Sequence, residues 1–129
     1  MNFQIKVYYE DTDATGRVYH SNYLNYLERA RTEYFYKLGF KHKILFDKYD
    51  MYFVVKNINI EFKSPAFFED ILNIETSLLN HSKYKIIFKQ LVYNHSKLLI
   101  DSNVIIVGVN SKGKLIKIPN QLYKSFDIV

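Results

Sequence analysis

The chain reads as α+β, an antiparallel sheet curled around one long helix. Three observations predict this. A short alternating segment opens the chain, one amphipathic segment follows, and from Met51 onward apolar residues recur at every second position through four long runs. A lone helix cannot be covered by a two-stranded ribbon, so the sheet has to wrap it. With 129 residues, 48% hydrophobic and 24% charged, the chain has the length and composition of a single domain over 1–129 with a sizeable core. No Gly-, Ser- or Pro-rich linker divides it.

Phe3, Ile5, Val7 and Tyr9 alternate with Gln4, Lys6 and Tyr8, the period of a half-buried strand. Glu10 to Asn22 is polar and turn-rich. Tyr23, Leu27, Ala30, Tyr34 and Leu38 then recur at three- and four-residue steps, joined by Leu24, Arg31 and Phe35. Asn25, Arg29, Thr32, Glu33 and Lys37 fill the opposite stripe, which predicts an amphipathic helix. Ser21 or Asn22 can cap its start, Gly39 suits a left-handed residue after its end, and Glu33–Lys37 is a favourable i,i+4 pair. Lys41 to Tyr49 holds a short second helix.

Ile58, Ile60 and Phe62 mark a strand that Ser64-Pro65 stops, and Leu72, Ile74, Thr76 and Leu78 mark the next. Tyr84, Ile86 and Phe88 begin a third, whose phase slips before Leu91 and Tyr93, as at a bulge. Leu98–Ile100 and Val104–Val109 make a fourth. Asn-His-Ser-Lys occurs twice, at 80–83 and 94–97, each time between strands, which predicts two hairpin turns. Pro119 leads into a tail without a clear pattern.

Several chemistries are excluded at once. There are no cysteines, hence no disulfide framework, zinc-thiolate site or cysteine nucleophile. The four glycines allow no P-loop, dinucleotide fingerprint or G-x-S-x-G elbow. His42, His81 and His95 do not pair as ligands, and no metal is expected. No apolar run approaches ~18 residues, and the opening residues lack a signal-peptide core, so a cytoplasmic protein is expected. Net charge is +5. Up to Phe40 bases and acids balance, so the whole excess lies from Lys41 onward, mostly as scattered lysines. Such a surface suits a polyanion or simply keeps the protein soluble. The aromatics fall at core-phase positions without an interleaved Lys/Arg cluster, which argues against a nucleic-acid partner.

The unusual segment runs from Tyr8 to Tyr23. Three carboxylates, Glu10, Asp11 and Asp13, and His20 crowd the connection into the N-terminus of the long helix. Helix N-termini present free N–H groups and a partial positive charge that can polarise a carbonyl or hold an oxyanion. A nearby carboxylate can attack or activate water. The alternative reading makes Asp11 and Asp13 turn residues and His20 a residue preceding the cap.

Asp11 to Arg31, D-T-D-A-T-G-R-V-Y-H-S-N-Y-L-N-Y-L-E-R-A-R, resembles the signature of the 4-hydroxybenzoyl-CoA thioesterase family, and more narrowly its YbgC-type acyl-CoA thioesterases. Ile60 to Asp70, I-E-F-K-S-P-A-F-F-E-D, resembles the family's second strand, proline break and acidic restart. The resemblance implies the hotdog fold and hydrolysis of an acyl-CoA thioester to a free acid and CoA. It assigns Asp13 as the catalytic carboxylate, either general base or nucleophile, and His20 as the residue whose backbone N–H polarises the thioester carbonyl. Tyr19, Asn22, Lys63 and Ser64 are then the expected substrate contacts, Lys63 toward the coenzyme's phosphates. Asp11 is expected to shape the turn. Thr15 and Arg17 depart from the family pattern, which has a smaller and an aliphatic residue there. No cofactor is implied beyond the CoA of substrate and product. Acyl-CoA is the expected partner, with acyl-carrier protein as the alternative carrier, and the sites are expected at a homodimer interface, with dimers able to pair. The competing function is a non-catalytic acyl-carrier or lipid-enzyme binding module on the same fold.

Overall fold

The amphipathic segment folds into one long helix, α1 (Asn22–Lys37), and a five-stranded antiparallel sheet packs on its apolar face, in a computed structural model that describes residues 1–126. The strands are β1 (Asn2–Lys6), β2 (Tyr52–Phe62), β3 (Ile71–His81), β4 (Lys85–Asn94) and β5 (Lys97–Val109), in the spatial order β1-β3-β4-β5-β2. Phe3 lies opposite Ile74 and Ile58 opposite Val104, so the two strands that flank α1 in sequence occupy opposite edges of the sheet. The two Asn-His-Ser-Lys segments fall at the β3–β4 and β4–β5 connections, as expected of a meander. A second helix, α2 (His42–Tyr49), buries Leu45, and a third, α3 (Asn120–Phe126), follows Pro119 and buries Leu122 and Phe126. No helix among the described residues is long and apolar enough to cross a membrane.

Two apolar clusters lie along α1. Tyr23, Tyr26, Leu27 and Ala30 pack with Val7, Leu72, Ile74 and Ile100, whereas Tyr34 and Phe35 pack with Leu45, Met51, Phe88 and Leu122. Burial follows helical spacing, with one exchange relative to expectation. Leu24 is exposed, and Tyr26 is fully buried in its place because the sheet wraps far enough round the helix to reach it. Gly39 adopts φ +89, the left-handed geometry that ends the helix without a Cβ penalty.

Four local expectations are corrected. β1 stops at Lys6, because Val7 turns to exchange backbone bonds with Asp70 and Glu69, and Tyr9 is exposed in a short 3-10 turn. Ser21 has helical φ and ψ and makes no side-chain cap, and Asn22 lies inside the helix, where the Asn25 amide donates to it at 2.7 Å. Glu33 and Lys37 make no ion pair among the described residues. The phase slip before Leu91 is not a bulge; the register of β4 against β5 shifts only later, between Val92 and Tyr93. Ile86, Phe88, Gln90 and Val92 all point inward in strict alternation, and the inward residue that breaks the apolar pattern is Gln90.

Gln90 is fully buried and fully engaged. Its Nε2 donates to Leu27 O at 3.0 Å and to Thr76 Oγ1 at 2.9 Å, and its Oε1 accepts from Arg31 Nη1 at 2.9 Å. Ser102 donates its hydroxyl to the Gln90 carbonyl at 2.7 Å. The Gln90 side chain thus ties α1 to β3 and β4, and its backbone carbonyl takes the hydroxyl from β5. Burial lowers the Arg31 pKa to about 10, so the guanidinium remains charged at neutral pH and needs that acceptor. Gln90→Leu keeps the side chain's bulk but leaves a buried cation and a buried hydroxyl unpaired. It is expected to cost about 2–4 kcal/mol, measured by urea unfolding against wild type.

Candidate active site

The chain between β1 and α1 is held by Asp11. Its carboxylate is buried, and Oδ2 accepts from the Tyr8 N–H at 3.0 Å and the Tyr26 hydroxyl at 2.9 Å, while its carbonyl accepts from Tyr19 N–H at 2.9 Å. Burial raises the Asp11 pKa, but the Tyr8 N–H, the Asn22 and Tyr26 side chains and the Arg29 charge outweigh it, leaving the carboxyl below its ordinary value. The stability this adds is complete above the ordinary aspartate pKa and is lost as pH falls through the lowered one. Burial, followed by its bond to this carboxylate, pushes the Tyr26 phenol well up. Asn22 Nδ2 is buried and has no partner in hydrogen-bonding geometry, although its side chain lies near enough to Asp11 to favour the charged form.

Beyond Asp11 the chain makes a tight hairpin. Thr12 bridges to Val18, the Asp13 N–H donates to Arg17 O at 2.8 Å, and the Gly16 N–H donates to Asp13 O at 3.1 Å. Gly16 has φ +79, which a side chain would strain. The segment before β3 flanks this hairpin: Val18 N–H bonds Ala66 O at 2.9 Å, Phe68 N–H bonds Gly16 O at 3.2 Å, and Arg17 bridges to Phe67. Ala66 is held in turn by its N–H donating to the Tyr23 hydroxyl of α1 at 3.1 Å. Helix start, hairpin and the Ser64-Pro65 break are thereby locked together.

A cavity of about 380 Å³ opens among them. Asp13, Arg17, His20, Lys63 and Ser64 form its polar wall, and Val18, Tyr23, Phe62 and Pro65 its apolar one. Four of the six expected site positions meet here or at its rim. Tyr19 and Asn22 instead line an adjoining hollow of about 270 Å³, with Asp13 shared between the two.

Asp13 Oδ1 accepts from the Thr15 hydroxyl at 2.6 Å and the Thr15 N–H at 2.8 Å. Oδ2 takes no hydrogen bond among the described residues. The Thr15 hydroxyl, then the Thr15 N–H, and after them the Arg17 N–H and charge, hold this exposed carboxyl below its ordinary pKa, so it is ionised at neutral pH. The His20 ring leans on Tyr19, with centroids 4.6 Å apart, and meets Phe62 edge-on at 6.4 Å. No acceptor among the described residues takes the His20 N–H, whereas the Asn22 N–H is already bonded to Tyr19 O at 2.8 Å. Lys63 lines the cavity with its ammonium 3.1 Å from Glu61. Sequence reasoning did not place Arg17 in this cavity or join Tyr23 to Ala66. Their signals were a cation at an aliphatic family position and a phenol on an inward helix stripe.

The model of the thioesterase-like superfamily matches residues 7–126. The chain belongs to the thioesterase-like superfamily. Within it, the chain is 36% identical over 126 residues to the acyl-CoA thioesterase YbgC of Haemophilus influenzae, covering 97% of this chain and 93% of that protein. It is 31% identical to the crystal structure of a probable thioesterase from Bartonella henselae, with a TM-score of 0.89 over 92% of this chain and 98% of the other. The 4-hydroxybenzoyl-CoA thioesterase of Pseudomonas sp. strain CBS-3 has a TM-score of 0.91 at 20% identity, over 97% of each chain, and so shares the fold. The hotdog architecture expected from the sequence is therefore the architecture of this family.

In this thioesterase-family chain the Thr15 hydroxyl contributes most to lowering the Asp13 pKa. Thr15→Val removes the hydroxyl and keeps the N–H, so the Asp13 pKa is expected to rise toward the ordinary aspartate value. A carboxyl-carbon NMR titration measures the shift, and Thr15→Ser should restore the wild-type curve.

Proposed function

We propose that the protein hydrolyses an acyl-CoA thioester to a free acid and CoA, with Asp13 as the reacting carboxylate and the His20 N–H as donor to the carbonyl oxygen. The observation that carries this reading is the shared cavity. Asp13, whose ionised carboxylate has one oxygen without a partner, and His20, whose backbone N–H has no acceptor among the described residues, line the same space at the start of α1. A thioester carbonyl set between them meets an attacking group on one side and a donor for its developing charge on the other. The positive end of α1 adds to that donor.

Two routes use the same atoms. As general base, Asp13 takes a proton from water while the hydroxide adds to the carbonyl carbon. The tetrahedral intermediate then expels CoA thiolate, which recovers the proton. As nucleophile, Asp13 Oδ2 displaces the thiolate to give a mixed anhydride, which water cleaves. A single turnover in ¹⁸O-water, followed by mass analysis of the peptide holding Asp13, tests the second route: label in Asp13 arises only if an anhydride forms and water attacks its Asp13 carbonyl carbon. Lys63 is the proposed cation for the coenzyme's phosphates, a role that requires it to leave Glu61. The cavity is open on one side and Asp13 is exposed, which suits a site completed by a second copy of the chain. Acyl-carrier protein is the alternative source of the thioester.

Thiol release from a panel of acyl-CoAs tests the proposal against a non-catalytic binding module, which would release none. Asp13→Asn is expected to lower kcat roughly 10²-fold or more in a folded protein. Asp11→Asn should show most of its effect as lowered thermal stability, with a much smaller loss of turnover. Equal losses of turnover in the two variants would refute the assignment of Asp13.

His20→Tyr keeps the backbone N–H and replaces the imidazole by another ring. Substantial activity is expected to survive, measured as kcat on the best acyl-CoA of the panel. Complete inactivation of a well-folded His20→Tyr enzyme would make the imidazole itself the essential group.

A further inference from the structure

The lysines gather at one end of the molecule. The proposed site stands at the N-terminal end of α1. At the C-terminal end Tyr34 and Phe35 pack with Leu45, Ile118 and Leu122, which draws α2 and α3 together. The Ile118 N–H donates to Lys83 O at 3.0 Å and Asp50 accepts from the Ser111 hydroxyl at 3.0 Å, so the β3–β4 turn and the loop after β5 join them. These segments present Lys48, Lys83, Lys112, Lys114, Lys117 and Lys124, all exposed and none in an ion pair among the described residues. The acids that the described residues of these segments carry are Asp47, paired with Lys43 at 2.9 Å, and Asp50, engaged with Ser111. The 16 residues of α1 separate this end from the proposed site by about 24 Å, at 1.5 Å per residue.

An apolar row runs through the same end. Tyr52 lies opposite Val109 in the β2–β5 register, and Val109 bridges in turn to Leu115. Residues directly opposite one another in a sheet point to one face, so these three side chains share it. Leu115 is 54% exposed, and the partly exposed ring of Phe46 stacks on that of Tyr52 with centroids 4.2 Å apart. Lys114 and Lys117 flank Leu115, which follows a tight turn where the Gly113 N–H bonds Asn110 O at 2.9 Å.

We propose that this end docks on an anionic phospholipid bilayer, with its lysines on headgroup phosphates and the row from Phe46 to Leu115 in the headgroup layer. Lysines supply attraction to such a surface, and apolar side chains among them add buried area at the headgroup boundary. A second copy of the chain fits less well, because a two-fold contact sets the unpaired lysines against their own images. An acidic protein answers the lysines alone, whereas a bilayer answers the lysines and the apolar row together. The docking surface is independent of the reaction proposed at Asp13.

The test is flotation of the protein with vesicles, read as the fraction bound. Mixed phosphatidylglycerol–phosphatidylcholine vesicles are expected to bind the wild type, and phosphatidylcholine vesicles to leave it in solution. Raising the salt concentration should release it, because exposed charges are screened. Lys114→Gln combined with Lys117→Gln should weaken binding at least about tenfold, the scale set by two lysines at a membrane surface. Leu115→Asn should weaken it with the charge unchanged. Lys97→Gln, at the opposite end of β5, should bind as wild type does, which separates the patch from net charge. All these positions are exposed, and thermal unfolding checks that each variant is folded. The proposal is overturned by no binding to the anionic vesicles, by equal binding to both kinds, by undiminished binding in the double lysine variant or Leu115→Asn, or by an equal loss in Lys97→Gln. Capture by polyglutamate without binding to vesicles also overturns it and assigns the lysines to an acidic protein. A change of oligomeric state in the double variant, with no vesicle binding by wild type, overturns it in favour of a second copy of the chain.

Discussion

The Asp11 carboxylate is the interaction on which the site depends. It accepts from the Tyr8 N–H and the Tyr26 hydroxyl while buried at the foot of α1, and its carbonyl receives the Tyr19 N–H. Those three bonds fix where the hairpin leaves the sheet and where it rejoins the helix. Asp13 and His20 are carried on that hairpin, so their separation follows from how Asp11 is held. A charge-assisted bond inside a low-dielectric pocket is strong and directional, which suits it to aligning a loop that has few apolar contacts of its own.

Neighbouring carboxylates thus receive opposite treatment. Asp11 is enclosed and spends its oxygen on the fold; Asp13 stands exposed, with one oxygen held by Thr15 and the other uncommitted. Along α1 a buried polar crossing centred on Gln90, with Arg31, Thr76 and Ser102, holds the helix to three strands.

Much of this architecture was legible in the residues because periodicity follows directly from burial. Alternation over Phe3–Ile5, Ile58–Phe62 and Leu72–Leu78 marked strands, and three- and four-residue steps from Tyr23 marked the helix. The misreadings share one cause. Gln90 looked like a phase slip because a polar residue at an inward position imitates a bulge when its partners are unseen. Those partners, Leu27, Thr76 and Arg31, lie far away in the chain. Leu24 was assigned inward and Tyr26 was missed because a helical stripe shows which residues could be buried, not how far the sheet reaches around them. Ser21 looked like a cap because its type favours one, whereas the helix start is organised by bonds from Asp11 and Tyr19.

The sequence by itself determined the fold class, the order of elements and the segment that holds the candidate site, since each rests on local pattern or on a contiguous motif. It named Asp13 and His20 through that motif. Only the tertiary structure decided that Asp11 is buried and Asp13 exposed, and that Lys63 and Ser64 share a wall with Asp13 while Tyr19 and Asn22 face an adjoining hollow. Those facts concern which distant segments meet, and a group's hydrogen-bond partners, solvation and charge state depend on that meeting, not on its neighbours along the chain.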